Sequence, residues 1–278
     1  MPLCTLHLLA LTADATPEAF LAALRSAGVA APLFAARVHA PVIRALALDG
    51  VLLSWTPWSL LLLLPAAATP VRLRDDPALA RLADVEYVVT SGVPSRLLGA
   101  YAATTRRLNA APRPRLQSDA RSPARTVPGK VPSTSQNLEP SPELDALIER
   151  LDRAGTGAAP VCMLNLLAFR KSKEDVARYH EYGQQFNKVA APFGGEPKIL
   201  GSVVKPPAQA TAAGSYPDSR GRPDRTEPWW DEISIVHYPS LRQFNDMASS
   251  SAYQGINREL RLPSLRDTTI ICTQEIPL

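Results

Sequence analysis

Cysteine is scarce in this sequence. Cys4, Cys162 and Cys272 stand alone in apolar surroundings, with no CxxC pair and no Cys/His spacing. That pattern excludes a disulfide framework and a structural zinc site, and it suits a reducing compartment in which each thiol is a small core residue. Also missing are a Gly-rich phosphate loop, a GxSxG elbow, an HExxH helix and a second acidic cluster, so no cofactor and no metal are expected. The four histidines, His7, His39, His180 and His237, are dispersed, and a metal site would have to be assembled from distant strands. No apolar run approaches the ~20 residues of a spanning helix. The most apolar stretch, Trp58 to Leu64, stops at Pro65 and reads as a strand buried on both faces. Met1-Pro2-Leu3 leads straight into a strand-like segment with no basic leader or cleavage site, so the expected location is cytosolic, without a membrane partner.

What is present begins with size. At 278 residues the chain exceeds the typical domain of roughly 100–200 residues, and two domains are expected. Apolar residues make up 46% and charged residues 20%, enough for each to bury a core. The net charge of +4 is concentrated between Arg106 and Lys130, where only Asp119 opposes the basic residues. That stretch has no interleaved aromatics to stack on bases, so it reads as a solvated linker and not as a nucleic-acid arm. Repeated prolines from Pro112 to Pro140 place the linker at 111–140, between an N-terminal domain at 1–110 and a C-terminal domain at 141–278 that opens on Ser-Pro-Glu-Leu, a helix start.

Periodicity in the C-terminal part gives a strand over Val161–Phe169 and a helix carrying Val176, Tyr179, Gly183, Phe186 and Ala190. Gly194-Gly195 ends that helix. Strands follow over Lys198–Val204 and Asp231–Tyr238, then a helix from Pro239-Ser240, a further helix with Tyr253 and Ile256, and a last strand over Thr268–Ile276. The N-terminal part reads in the same order: strand Leu3–Leu11, helix Pro17–Ala27 capped by Thr16, a hairpin turn at Asp49-Gly50 pairing the second and third strands, a short helix near Pro77–Leu82, strand Val85–Thr90 and a helix over Pro94–Leu108. The fold class is therefore α+β, with two ferredoxin-like βαββαβ units. Each leaves one sheet face uncovered, and two such sheets close into a barrel, either within one chain or between the chains of a homodimer. Trp58-Ser59 and Trp230-Asp231, each before an apolar strand ending in proline, echo an internal duplication.

Asn165-Leu166-Leu167 with Phe169, Tyr179 and Tyr182, Gly194-Gly195, Gly201, Trp230-Asp231, Tyr238-Pro239-Ser240, Tyr253 and Arg258 occur in an ordered set. In them residues 160–278 resemble the dimeric α/β-barrel superfamily, and within it a branch marked by an Asn-Leu-Leu first strand and a Tyr-Pro-Ser turn. The resemblance implies a barrel of paired units with a ligand pocket between each sheet and its helices or inside the barrel. It implies no single reaction, because the superfamily spans cofactor-free oxygenases, polyketide cyclases, isomerases, decarboxylating and haem-binding members and stress-response proteins. The chain departs from the pattern in an insertion from Pro206 to Pro228 and in an N-terminal half that lacks Asn-Leu-Leu.

Ionisable and polar residues inside apolar strands are the candidates for chemistry. His237, near the end of the third C-terminal strand, and His7, among leucines in the first strand, are candidate bases, with a satisfied core or rim histidine as the plainer alternative. Asn165 can bind a carbonyl or enolate oxygen, or brace a neighbouring bulge. Tyr182 lies off the apolar stripe of its helix and is a candidate hydrogen-bond donor, whereas Tyr179 lies on it. Trp230, Asp231, Tyr179, Arg258 and Trp58 are candidates for the substrate wall, with Asp231 and Arg258 as an ion pair. The expected function is a cofactor-independent enzyme of the cyclase, isomerase or lyase type, moving a proton on a hydrophobic, oxygen-bearing small molecule such as a polyketide. The alternatives are a ligand-binding or stress-response protein without turnover, and a cofactor-free oxygenase.

Overall fold

The structure, a computed structural model, describes residues 1–66, 72–115, 135–170, 172–204 and 229–278. The 206–228 insertion and residues 116–134 of the expected linker lie outside them.

Local sequence explains where the elements start. Thr16 accepts the Ala19 N–H at 3.1 Å and opens α1 (Pro17–Ser26), Ser141 opens α5 (Pro142–Arg153), and Ser172 opens α6 (Lys173–Ala190) through the Asp175 N–H. Ser240 opens α7 (Leu241–Ser249), and Ser250 caps α8 (Ser251–Ile256). The N-terminal half also carries α2 (Gly50–Trp55), α3 (Pro77–Ala80) and α4 (Ser95–Ala110). A π-helical turn over Asn257–Arg261 follows α8.

Eight strands, β1 (Leu3–Leu11), β2 (Phe34–Ile43), β3 (Leu60–Pro65), β4 (Ala83–Gly92), β5 (Val161–Phe169), β6 (Glu196–Val203), β7 (Glu232–Tyr238) and β8 (Leu265–Glu275), form one closed barrel in the order β1-β3-β2-β8-β5-β7-β6-β4. Every pairing is antiparallel. Each half contributes a run with its first strand next to its last: β4-β1-β3-β2 and β8-β5-β7-β6. One chain thus supplies the whole barrel. The halves join along β2–β8 and, more thinly, along β4–β6, where Ser91 faces Val203 and Gly92 faces Ser202. From that thin seam α4 runs beside β6, placing Leu97, Leu98 and Tyr101 on the barrel core.

Strand alternation divides the side chains between two environments. Leu61 and Leu63 join Leu6, Leu8, Phe34, Leu164, Ile235 and Ile271 inside the barrel, while Leu60, Leu62 and Leu64 pack outward with Phe20 and Leu24 of α1. The leucine run is therefore buried on both faces, each fully buried leucine contributing about 1.5–3 kcal/mol.

The chain departs from the expected hairpin at Asp49-Gly50. β2 ends at Ile43, and the Asp267 carboxylate accepts the N–H groups of Leu46, Ala47 and Leu48 at 3.1, 2.8 and 2.7 Å, turning the chain into α2. Asp49 takes a left-handed φ of 50°, and a Cβ on Gly50 would meet the Ala45 carbonyl oxygen at 2.8 Å. β2 and β3 pair nonetheless. Gln136, within the expected linker, is anchored: it donates to the Arg44 and Thr268 carbonyls and accepts the Thr268 N–H at 3.0 Å.

Candidate functional site

The two candidate bases share no cavity among the described residues, and alternation is the reason. β7 directs His237 into the barrel with Ile233 and Ile235. There it is 1% exposed, and its Nε2 has no hydrogen-bond partner among the described residues. Burial and the nearby Lys198 charge hold its pKa down at about 4, so it is neutral at pH 7. Lys198, in a register shift of β6, is buried in the same region, where its Nζ meets Glu275 at 2.6 Å and lies 4.6 Å from the Tyr101 ring centre. The Tyr101 hydroxyl donates to the same Glu275 carboxylate. These groups seal that end of the barrel.

At the other end Trp58, Tyr87, Trp229 and Trp230 form an aromatic plug. The Trp58 indole N–H donates to the Leu53 carbonyl at 3.0 Å, and the Trp230 indole donates to the Tyr87 hydroxyl at 2.9 Å. Both tryptophans pack into the barrel core.

His7 faces outward from β1 beneath the N-terminal helices, with Nδ1 2.7 Å from Glu86 Oε1 and Nε2 2.9 Å from Thr5 Oγ1. Glu86 also accepts the N–H groups of Leu73 and Arg74. Burial raises the Glu86 pKa, but the His7 contact and these two N–H groups outweigh it and bring the carboxyl below its ordinary value. His7 is a saturated core histidine. Asp231 likewise serves the backbone: its carboxylate accepts the Phe169 N–H at 2.7 Å. Arg258 sits 3.6 Å from Glu139, so the expected Asp231–Arg258 pair does not form.

The remaining candidates come together. Between the outer face of the C-terminal sheet and α6–α8 lies a cavity of ≈ 390 Å³, within the range of small-molecule sites. Its floor is the outward-facing row of β5 and β7: Met163, Asn165, Leu167, Ser234 and Val236. Its roof is the aromatic ladder of α6, in which Tyr179–Tyr182 and Tyr182–Phe186 ring centres are 5.3 and 5.7 Å apart, with Phe169 of β5 packed 4.8 Å from Tyr179. Asn165 donates to the Met163 carbonyl at 3.0 Å, and the Tyr182 and Tyr253 hydroxyls are 3.4 Å apart at the inner end. Burial raises the pKa of both phenols, which remain protonated donors.

Three ionisable residues that were not among the candidate site residues also line this cavity: Glu232, His180 and Arg261. Glu232 lies on the Ser234/Val236 face of β7, opposite to His237, and strand alternation was the available signal. Burial raises its carboxyl above the ordinary value, against the lowering influence of His180, whose Nε2 is 3.7 Å away on the solvent side. Arg261 was invisible because the π-helical turn breaks the 3.6-residue period that would have placed it.

A second space of ≈ 470 Å³ near the start of β5 is lined by Arg37, His39, Arg150 and Gln274, but these are engaged with Glu18, one another and the backbone. Among the described residues no cluster of three or more His, Cys, Asp or Glu is placed to hold a metal, and no helix is long and apolar enough to cross a membrane.

No protein-family profile and no curated protein matches the chain. Among solved structures it is similar to a protein of unknown function from Rhodopseudomonas palustris, with 21% identity over 51% of this chain and 98% of that one at a TM-score of 0.36. It is also similar to an anthrone oxidase-like protein, with 10% identity over 99% of this chain and 92% of that one at a TM-score of 0.40. Likeness at this level assigns no activity.

Proposed function

We propose that the chain is a small-molecule enzyme that moves a proton on an apolar, oxygen-bearing substrate held in the C-terminal cavity, with Glu232 as the base. The observation that carries this reading is the placement of Glu232: a carboxyl raised by burial, lining an aromatic cavity that an amide and two phenols also line. A base is most effective when its pKa approaches the working pH, and burial moves Glu232 in that direction. Asn165 pairs across the strands with Ser234, which places it on the diagonal from Glu232, roughly 7–8 Å away by backbone geometry. A ketone lying along the floor can present its α-carbon to Glu232 and its oxygen to the Asn165 amide or the Tyr182 hydroxyl, which favour the enolate as it forms. His180, largely exposed, passes the proton between Glu232 and solvent. The chemistry uses protein groups alone.

We further infer that the scaffold is a tandem of two ferredoxin-like units, 1–110 and 141–278, forming a dimeric α/β-barrel arrangement within one chain. The support is the repeated strand order in the two halves.

The test is solvent deuterium exchange into a panel of aromatic ketones headed by 1-tetralone, followed by NMR. Wild type is expected to accelerate exchange, and Glu232→Gln to lose at least ~100-fold of that acceleration. Exchange no faster than buffer across the panel, or equal rates in the variant, contradicts the assignment. Binding without exchange makes the cavity a carrier site, and oxygen uptake with the same ketones assigns an oxygenase.

A further inference from the structure

Arg261 is 2% exposed at the wall of the cavity. Its Nη1 donates to the Gln136 carbonyl at 2.9 Å and to Asn257 Oδ1 at 3.2 Å, both neutral acceptors. Its Nη2 is buried and has no hydrogen-bond partner among the described residues, and none of their carboxylates forms an ion pair with it. A guanidinium is always charged, and a buried unpaired charge is costly. A fold that retains one at a ligand-sized cavity leaves its compensation to the ligand.

The surroundings narrow what the ligand carries. Arg261 acts electrostatically on Tyr179, Tyr182 and Tyr253, so its charge is felt throughout the aromatic end of the cavity. The π-helical turn that delivers it is a backbone form that recurs at functional positions. The cavity's own acid, Glu232, has its ion-pair contact with His180 and none with Arg261.

We propose that Arg261 is the specificity residue for an aromatic carboxylate, with Nη2 donating to one carboxylate oxygen and the Tyr182 or Tyr253 hydroxyl to the other. A carboxylate fits better than an enolate because it carries its charge throughout the binding event, whereas an enolate exists only during turnover. The ring system lies between the α6 ladder and the sheet. This deepens the proton-transfer reading and rests on the same cavity, but it is tested by binding alone.

The experiment is calorimetric titration of the full chain with 2-naphthoate and its neutral isostere 2-naphthamide. Wild type is expected to bind the acid at least ~10-fold more tightly, the scale of a hydrogen bond to a charged group. Arg261→Met is expected to abolish that preference while leaving the amide's affinity in place, and Arg261→Lys to keep part of it. Since Arg261→Met also removes the bonds to Gln136 and Asn257, the wild-type acid-to-amide ratio is decisive if that variant does not fold. Equal binding of acid and amide by wild type, or a preference surviving in Arg261→Met, overturns the assignment and leaves the cavity standing. Failure of both probes to bind also overturns it, whereas the proton-transfer reading falls only on the deuterium-exchange result.

Discussion

His7 and Asn165 hold the same place in the two halves: each is the fifth residue of a nine-residue first strand, facing outward toward its own helices. In the N-terminal half that position is locked. Phe20, Leu21 and Leu24 of α1 meet a leucine-rich sheet, and the polar residues there, His7, Thr5 and Glu86, satisfy one another. In the C-terminal half α6 presents tyrosines and Gly183 instead of leucines, and the sheet beneath offers Asn165, Ser234 and Glu232. The same architecture thus yields a sealed core on one side and a cavity on the other. What differs is side-chain volume on the covering helix and whether the polar groups beneath satisfy one another.

The comparison breaks most visibly at the buried pair. Glu86→Ala leaves His7 and two backbone N–H groups without an acceptor and is expected to cost about 3–5 kcal/mol in urea unfolding, whereas Asn165→Ala, which removes one bond to Met163, costs about 1 kcal/mol. Similar losses for both variants would show that the two positions are not differently committed.

The next effect is in pH. His237 has a folded pKa of about 4 against an ordinary 6.5, so the unfolded chain binds the extra proton first. Its contribution is fully present above pH 6.5 and is lost as pH falls toward 4, by on the order of 3 kcal/mol. His237→Leu is expected to flatten that part of the stability profile, and an unchanged difference between wild type and variant from pH 7 to 4 contradicts a buried neutral histidine.

The smallest effect sharpens the contrast at the roof. Gly183 lies mid-helix with nothing within 4 Å of an added Cβ, so Gly183→Ala is expected to raise stability by about 0.5–1 kcal/mol. A loss of stability would mean the space beside α6 is filled.

Much of the fold was legible because its signals are local. The leucine run, the serine and threonine caps and the Gly194-Gly195 break each act over a few residues, and the paired strand orders follow from the repeated element order. The Asp49-Gly50 turn was misread because its conformation is set by Asp267, more than two hundred residues away in sequence. The site was half legible. Asn165, Tyr179 and Tyr182 stand out as polar groups on apolar elements and do meet at the cavity. His7 and His237 stand out for the same reason but point elsewhere, since a strand residue's face is fixed by phase and its partners by tertiary contacts. Glu232 was concealed beside the more conspicuous Asp231, and Arg261 by the π-helical turn.

On the proposed function, ligand binds between the C-terminal sheet and α6–α8, not in the barrel interior or the N-terminal half. A backbone chemical-shift map of the protein titrated with 2-naphthoate tests it most directly. Perturbations are expected to cluster at Met163, Tyr182, Ser234 and Arg261, with His7 and His237 unmoved. Perturbations centred on His237 and Lys198, or on His7 and Glu86, would contradict it.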